Sequence, residues 1–416
     1  MNEQELPLTE QTGPLNAASL AEMESEVAVD ALLRHAAINE ASDLHILSDE
    51  SCGNICMRRL GRIEPIALVP RDISRQLIAH VKAMSGMDIA DRRRPGEGRW
   101  LHAKEGRRLD IRISCIGTLF GEDLTMRLWN RDTGLRRLDL LGLSTKELEI
   151  LKSLLARPSG LLLVTGPTGT GKTTTLYACL SYLNNGVRKI NTLEDPIEYA
   201  IDGIRQSQVN PRIEVDFPEL LRHILRQAPD VIMVGEIRDE ETAVAAVRAA
   251  NSGHLVLSTL HAPVSAAAAQ SMLALGAPPY FLSSCLLGIV AQRLVRTLCL
   301  KCRQQYDLDE APGTFDEIQD LLEPGEGRAL YGPGGCDACQ HTGYARRTGL
   351  FEIMTLNREI RRLIADHSSA EQIAEAASRN GMLPFRRGAL LKVAKGLTST
   401  EEILQTVPAE FLGIED

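Results

Sequence analysis

Apolar positions recur with helical spacing at Leu32, Leu33, Ala36 and Ala37, so a helix is expected from about Val29. Leu44 and Ile46 then alternate with polar neighbours, as in a half-buried strand. Ile73, Leu77, Val81 and Met84 fall on one stripe of a second helix. Leu109, Ile111 and Ile113 present one apolar face, the chain turns over Gly117 to Gly121, and Leu124, Met126 and Leu128 present another face. That is a hairpin, and its polar face carries Arg112 and Arg127. Residues 27–131 are expected to form a compact α+β domain.

A linker is expected over 132–143, after which Ser144-x-x-Glu147 has the spacing of a capping box. Short apolar runs follow at 160–165, 188–193, 230–234 and 254–259, separated by segments of helical length and pattern. Strands alternating with helices predict a parallel sheet covered on both faces, here over 144–298. Residues 299–345 are rich in Gly, Pro and Cys and show little periodicity. Helical patterns return near 357–366, 370–379 and 401–407, so 346–416 is expected to be a helical C-terminal subdomain.

Charge adds the N-terminal end. No Lys or Arg precedes Arg34, whereas Glu3, Glu5, Glu10, Glu22, Glu24 and Glu26 are acidic, with Pro7, Gly13 and Pro14 among them. Residues 1–26 are therefore expected to be a mobile acidic tail. Over all 416 residues, 55 acidic against 46 basic side chains give a formal charge of −9 and a pI near 5.6. With only 4% aromatic residues, this argues against nucleic acid as the main partner. No run of 18 apolar residues occurs; the nearest approach, 282–291, is broken by Ser283, Ser284 and Gly288. The first residues lack the basic and apolar regions of a signal peptide. Nine cysteines are too few and too scattered for a disulfide scaffold, so a cytoplasmic, reducing location is expected.

The strongest chemical signal is Gly166-Pro167-Thr168-Gly169-Thr170-Gly171-Lys172-Thr173, between an apolar run and a helix. It fits the phosphate-loop pattern: glycines let successive N–H groups wrap a polyphosphate, and the helix N-terminus adds partial positive charge. Lys172 would reach the β- and γ-phosphates, and Thr173 would hold Mg²⁺. A second acidic element is supplied by Val231-Ile-Met-Val-Gly-Glu236, where a carboxylate emerges from a strand and can order or polarise water. Asp230 reads as a turn residue. Glu194-Asp195-Pro196-x-Glu198 ends another strand, on the ligand side of such a sheet. His254 and His261 bracket the last apolar run, and His261 at its end is placed to donate to a γ-phosphate.

These boxes, in this order, resemble the secretion-superfamily ATPases, specifically the type II secretion and type IV pilus assembly motors, over roughly residues 27–408. The resemblance rests on the Walker A box at 166–173, the aspartate box at 192–199, the Walker B box at 230–236 followed by Ile237-Arg238-Asp239, and the histidine box at 253–261. It implies a RecA-like P-loop ATPase domain preceded by a PAS-like domain, in a ring of six subunits that uses ATP and Mg²⁺. It assigns Glu236 to water activation, Glu194 to the neighbourhood of the metal, and His261 to the γ-phosphate. Arg112 and Arg127 match arginines that approach the nucleotide. The implied task is assembly of a pilus or pseudopilus through an inner-membrane platform protein, with the enzyme peripheral to that membrane. Longer members carry a further N-terminal docking domain, where this sequence has its short acidic tail. Two other readings are a DNA-translocating motor and a nucleotide-gated scaffold.

Cys299-x-x-Cys302 and Cys336-x-x-Cys339 are two pairs, each able to bite a metal from a tight knuckle; four thiolates suit tetrahedral Zn²⁺. Gly332, Gly334, Gly335 and Gly343 supply turns around the second pair. Assembly and secretion motors of the resembled family carry such an element. Cys52, Cys56, Cys115, Cys179 and Cys285 are expected to be ordinary buried thiols.

Overall fold

The computed structural model describes residues 17–104, 107–130, 135–309 and 311–414. The chain divides after Gly134 into two compact units.

The first unit contains helices α1 (Ala17–Glu22), α2 (Ser25–Ile38) and α3 (Arg71–Met84). Its strands are β1 (Asp43–Ser48), β2 (Cys52–Arg59), β3 (Arg62–Pro70), β4 (Gly96–Lys104), β5 (Arg107–Gly117) and β6 (Glu122–Asn130). They form one sheet in the order β3-β2-β1-β6-β5-β4, antiparallel throughout. Leu32 and Leu33 of α2 and Leu77 and Val81 of α3 share a core with Leu44, Ile46, Ile111, Ile113, Leu124 and Met126. The apolar stripe of α3 runs through Ile78 as well, leaving Met84 at its last turn exposed. The α+β expectation is met, with strands that the sequence did not announce. The edge strands β3 and β4 each bury a single apolar side chain, Val69 and Trp100, so no alternating pattern marks them.

Two expected boundaries move. Residues 1–16 of the expected tail lie outside the described residues, but Ala17–Glu22 is helical and Leu20 is fully buried. Structure thus begins well before Val27, because Leu20, Ala28 and Val29 supply apolar surface to the core. Of the expected linker, 132–134 lie outside the described residues. Leu138 and Leu141 are buried in the second unit, Leu141 O accepts from Gly349 N at 2.9 Å, and Gly142 O accepts from Lys392 Nζ at 2.9 Å. From Leu138 onward the expected linker belongs to the second unit.

The second unit opens with α4 (Thr145–Leu155), capped as the sequence predicts: Glu147 N donates to Ser144 Oγ, and Ser144 N to Glu147 Oε2. Strands β7 (Gly160–Thr165), β8 (Ile190–Glu194), β9 (Arg205–Gln208), β10 (Val231–Val234), β11 (Leu255–Leu260) and β12 (Leu286–Leu298) follow. Next come the small hairpin β13 (Gln304–Asp307) and β14 (Ala329–Gly332), and then β15 (Tyr344–Thr355). The large sheet has the order β15-β12-β7-β11-β10-β8-β9, parallel except for β15. Helices α5 (Lys172–Leu183), α6 (Phe217–Ile224), α7 (Glu240–Asn251), α8 (Ser265–Ala274) and α9 (Pro279–Cys285) connect its strands. The C-terminal helices are α10 (Arg358–Ala365), α11 (Ala370–Arg379), α12 (Phe385–Ala394), α13 (Thr400–Thr406) and α14 (Ala409–Leu412).

The central strands β7, β8, β10 and β11 are buried on both faces. Along β7, Leu161 and Leu163 join a core with Ala246 and Val247 of α7 and Met272 of α8. Leu162 and Val164 join the opposite core with Leu176 and Leu180 of α5 and Leu151 of α4. Burial on both sides explains the unbroken apolar runs, and the α/β, RecA-like expectation holds.

The C-terminal part is not purely helical, as expected from sequence; it begins with β15, which pairs along β12 from Gly288↔Thr355 to Leu298↔Tyr344. Gly349 to Met354 are all buried, so period-two alternation is absent there and the strand goes unannounced. The helices that follow are held to the sheet by a buried ion pair: Glu402 of α13 accepts from Arg296 N at 3.0 Å and from its Nε at 2.7 Å. The Tyr344 ring lies 3.9 Å from that guanidinium. Among the described residues, no helix is long and apolar enough to cross a membrane.

Candidate active site

The carboxyl ends of β7, β8, β10 and β11 lie side by side, where parallel α/β sheets place their ligands. Residues 166–173 leave β7 and open α5. Gly169 and Gly171 have φ of +81° and +86°, a region that only glycine enters without strain, so the loop turns tightly enough to expose successive amides. Lys172 lies within this loop and is buried, its Nζ donating to Gly166 O at 2.7 Å and Pro167 O at 3.1 Å. Thr173, in the first turn of α5, is exposed.

Hydroxyl side chains tie the strand ends together. Thr165 Oγ1 donates to Ala262 O at 2.9 Å and accepts from Ala262 N at 2.8 Å, which fixes His261 beside the loop. Ser258 Oγ donates to Val234 O and Thr259 Oγ1 to Gly235 O, at 2.8 and 2.7 Å. Those two bonds set the end of β10 against the end of β11 and bring Glu236 next to His261.

The result is a chain of three side chains. Lys172 Nζ lies 3.4 Å from His261 Nδ1, and His261 Nε2 lies 3.5 Å from Glu236 Oε2. An ammonium only donates, so Nδ1 accepts and the ring proton sits on Nε2, facing the carboxylate. The other Glu236 oxygen pairs with Arg238, of the segment that follows the Walker B box. Burial pulls the Lys172 ammonium down to about 8, against the opposing effect of Glu236; Arg293 adds to the lowering.

The remaining expected residues have partners of their own. Glu194 ends β8 as expected and is buried, but its carboxylate faces Tyr177 of α5: it accepts from Tyr177 OH, from Thr192 Oγ1 at 2.6 Å and from Gln206 Nε2 at 3.0 Å. In that position the carboxylate stands as a post under the helix that the loop opens. Burial, followed by the Glu194 charge, drives the Tyr177 hydroxyl well above the usual phenol range. Asp230 is a turn residue, accepting from Lys189 N at 2.7 Å, and His254 Nδ1 sits 3.0 Å from Ala249 O, at the start of its strand. Arg112 and Arg127 belong to the first unit, where they stand opposite one another on β5 and β6. Arg127 Nε donates to Asp43 Oδ1 at 3.0 Å, and the Arg112 guanidinium lies 5.7 Å from the Trp129 ring centre.

Sequence reasoning also passed over Gln292 of β12. It is fully buried, donates from Nε2 to Thr170 O at 2.7 Å and accepts from Thr175 Oγ1 at 2.8 Å. Its signal was present: a glutamine closing the run Ile289-Val290-Ala291 must find partners when buried.

The four cysteines come together as predicted. All four sulfurs lie within 4.8 Å of one another, with Cys299–Cys336, Cys302–Cys339 and Cys336–Cys339 at 3.9, 3.7 and 3.8 Å. Metal–sulfur bonds of ~2.3 Å in a tetrahedron imply edges of about 3.8 Å, so the donor set fits zinc. Burial raises the Cys339 thiol, but amides of Cys336 and Gly343 and the adjacent thiols outweigh it and bring it down to about 6. Cys302 is pushed up to about 12 by desolvation and by its neighbouring thiols, since sulfurs this close cannot all be anions without a cation among them. Of the other five, Cys56, Cys115, Cys179 and Cys285 are buried and Cys52 is half-buried.

A family model described as "Type II/IV secretion system protein" matches residues 18–405. The chain belongs to that family. Among type II/IV secretion proteins, "Type II secretion system ATPase E" of Vibrio cholerae is 44% identical over 381 residues, covering 91% of this chain and 74% of that protein. "Type IV pilus assembly ATPase TfpB" of Acinetobacter baylyi is 37% identical over 381 residues, covering 91% of this chain and 65% of that protein. The solved ATPase DotB of Legionella pneumophila shares the fold, with a TM-score of 0.66 at 22% identity over 91% of this chain and 94% of that one. This type II/IV secretion protein is an ATP-hydrolysing enzyme of the class that drives pilus and pseudopilus assembly.

One pH dependence follows from the site. A lysine that holds a polyphosphate through its charge must be protonated, and Lys172 loses its proton above about 8. The value of kcat/KM, which reports the free enzyme, is expected to stay level just below that pH and to fall about tenfold per pH unit above it. Steady-state ATPase profiles between pH 6.5 and 9.5 read this directly; a profile level up to pH 9.5 would contradict the assignment.

Proposed function

We propose that residues 166–173 hold the phosphates of ATP, Thr173 holds Mg²⁺, Glu236 orients the attacking water and His261 donates to the γ-phosphate. The observation that carries this is the Lys172–His261–Glu236 chain at the loop: a cation for the phosphates, a donor, and a carboxylate in sequence. Glu194 supports α5 through Tyr177, and Arg112 and Arg127 add positive charge to the nucleotide site in the working assembly. Zn²⁺ occupies Cys299, Cys302, Cys336 and Cys339 and orders the hairpin β13–β14.

The enzyme works as a homohexameric ring on the cytoplasmic face of an inner membrane. Nucleotide turnover rotates its two units relative to each other, and that motion acts on a platform protein to assemble a type II secretion pseudopilus or a type IV pilus. The names of the Vibrio and Acinetobacter relatives support this role. A charge of −9 speaks against a DNA-translocating motor, and the intact trio speaks against a scaffold that binds ATP without cleaving it.

Mass photometry with a Mg²⁺–ATP analogue is expected to show particles six times the 45.6 kDa chain, and pull-down from membranes to recover the platform protein. Monomers throughout would contradict the ring, and salt-sensitive DNA binding that stimulates turnover would favour the DNA motor.

A further inference from the structure

We infer that Gln292 is a positioning residue for the phosphate loop: by holding the Thr170 carbonyl it fixes the direction of the Gly171 amide. This rests on the proposal that residues 166–173 hold the nucleotide phosphates.

Gln292 sits on β12, next to Ala291, which pairs with Thr165 at the end of β7. Its side chain is 1% exposed and spans two parts of the loop-helix junction, Thr170 O and Thr175 Oγ1. The amide can lie only one way round. A backbone carbonyl has no proton to donate, so Nε2 must face Thr170 and Oε1 must face the Thr175 hydroxyl.

The consequence reaches the next residue. A trans peptide is planar, and its carbonyl and the following N–H point in opposite directions. With the Thr170 carbonyl turned toward β12, the Gly171 N–H is turned to the other side of the loop. β12 closes the first side: a Cβ on Gly171 would meet Gln292 Nε2 at 3.4 Å and Leu294 Cδ1 at 3.5 Å. A phosphate must approach from the other side, where that N–H points. Gly171 has φ +86°, and glycine there has many peptide orientations open to it. The second bond, from Thr175, holds the clamp against α5, so loop crest and helix keep a fixed spacing. Gln292 touches no reacting atom; it acts through Gly171.

The test is a titration of full-length chain with fluorescent, methylanthraniloyl-labelled Mg²⁺–ADP, alongside steady-state ATPase and thermal melting. Gln292→Leu is expected to weaken binding about tenfold, the worth of one buried backbone hydrogen bond, and to raise KM for ATP similarly while kcat stays within about threefold. Gln292→Met keeps the length of the side chain without a charge but cannot donate to Thr170, so it is expected not to restore affinity. Wild-type affinity in either variant overturns the inference. If Gln292→Leu fails to fold, Thr175→Val decides: a loss of about threefold supports the clamp, and unchanged affinity overturns it. Lys172→Ala in the same titration separates the two levels of argument. Loss there with wild-type binding by Gln292→Leu defeats only the clamp, whereas retention by Lys172→Ala defeats the phosphate-loop assignment and the clamp with it.

Discussion

Glu236→Gln is expected to lower ATP turnover by roughly 10²–10⁴, the range for removing a general base, while leaving nucleotide binding at least as tight as in the wild type. The two effects separate because of where the charge sits. The carboxylate stands at the far end of the Lys172–His261 chain, so it repels a triphosphate and helps only once water is being deprotonated. Glutamine keeps the volume and one acceptor for Arg238 or His261, so the strand ends stay clamped by Ser258 and Thr259. Lys172→Ala has the opposite signature. It removes the ammonium that now rests on Gly166 and Pro167 carbonyls, so binding and turnover fall together, turnover by roughly 10²–10³. Steady-state ATPase with an independent binding titration checks both; Glu236→Gln that loses binding as severely as Lys172→Ala would contradict the division of roles.

The second large effect concerns the cysteines. Purified chain is expected to contain one zinc per molecule, and Cys339→Ser to lose it. A structural zinc contributes an apparent ~10–16 kcal/mol, whereas a two-stranded hairpin alone is marginal in water. The element it would order is small: β13 and β14 pair over four residues each, and β13 has all four side chains exposed. Elemental analysis and hydrogen exchange of the variant are expected to show metal lost and protection lost over 299–345, with β7, β10 and β11 still protected. Full protection there in metal-free protein would show that the sulfurs cluster for another reason.

The sequence carried the central strands and the phosphate loop plainly, because a strand buried on both faces is an uninterrupted apolar run and a phosphate loop needs glycines at fixed spacing. The cysteine tetrad was equally legible, since two C-x-x-C knuckles define the donor set on their own. Legibility failed where tertiary partners decide the outcome. Residues 349–354 of β15 show no alternation because both faces are buried there, Leu350 with α12 and Phe351 and Ile353 in the core that α4 shares. Glu194 was placed on the correct strand end, but only Tyr177, Thr192 and Gln206 determine which way its carboxylate turns. Gln292 lies more than a hundred residues from the loop it holds, and nothing local to β12 names Thr170 as its partner. The early helix at Leu20 was hidden by the acidic composition around it.

The most direct test of the account is a structure of the Glu236→Gln chain with a Mg²⁺–ATP analogue. The account predicts the β- and γ-phosphates inside the loop 166–173, Mg²⁺ on Thr173 Oγ1 and His261 within hydrogen-bond distance of the γ-phosphate. Nucleotide bound elsewhere, with Lys172 still on the Gly166 and Pro167 carbonyls, would contradict it.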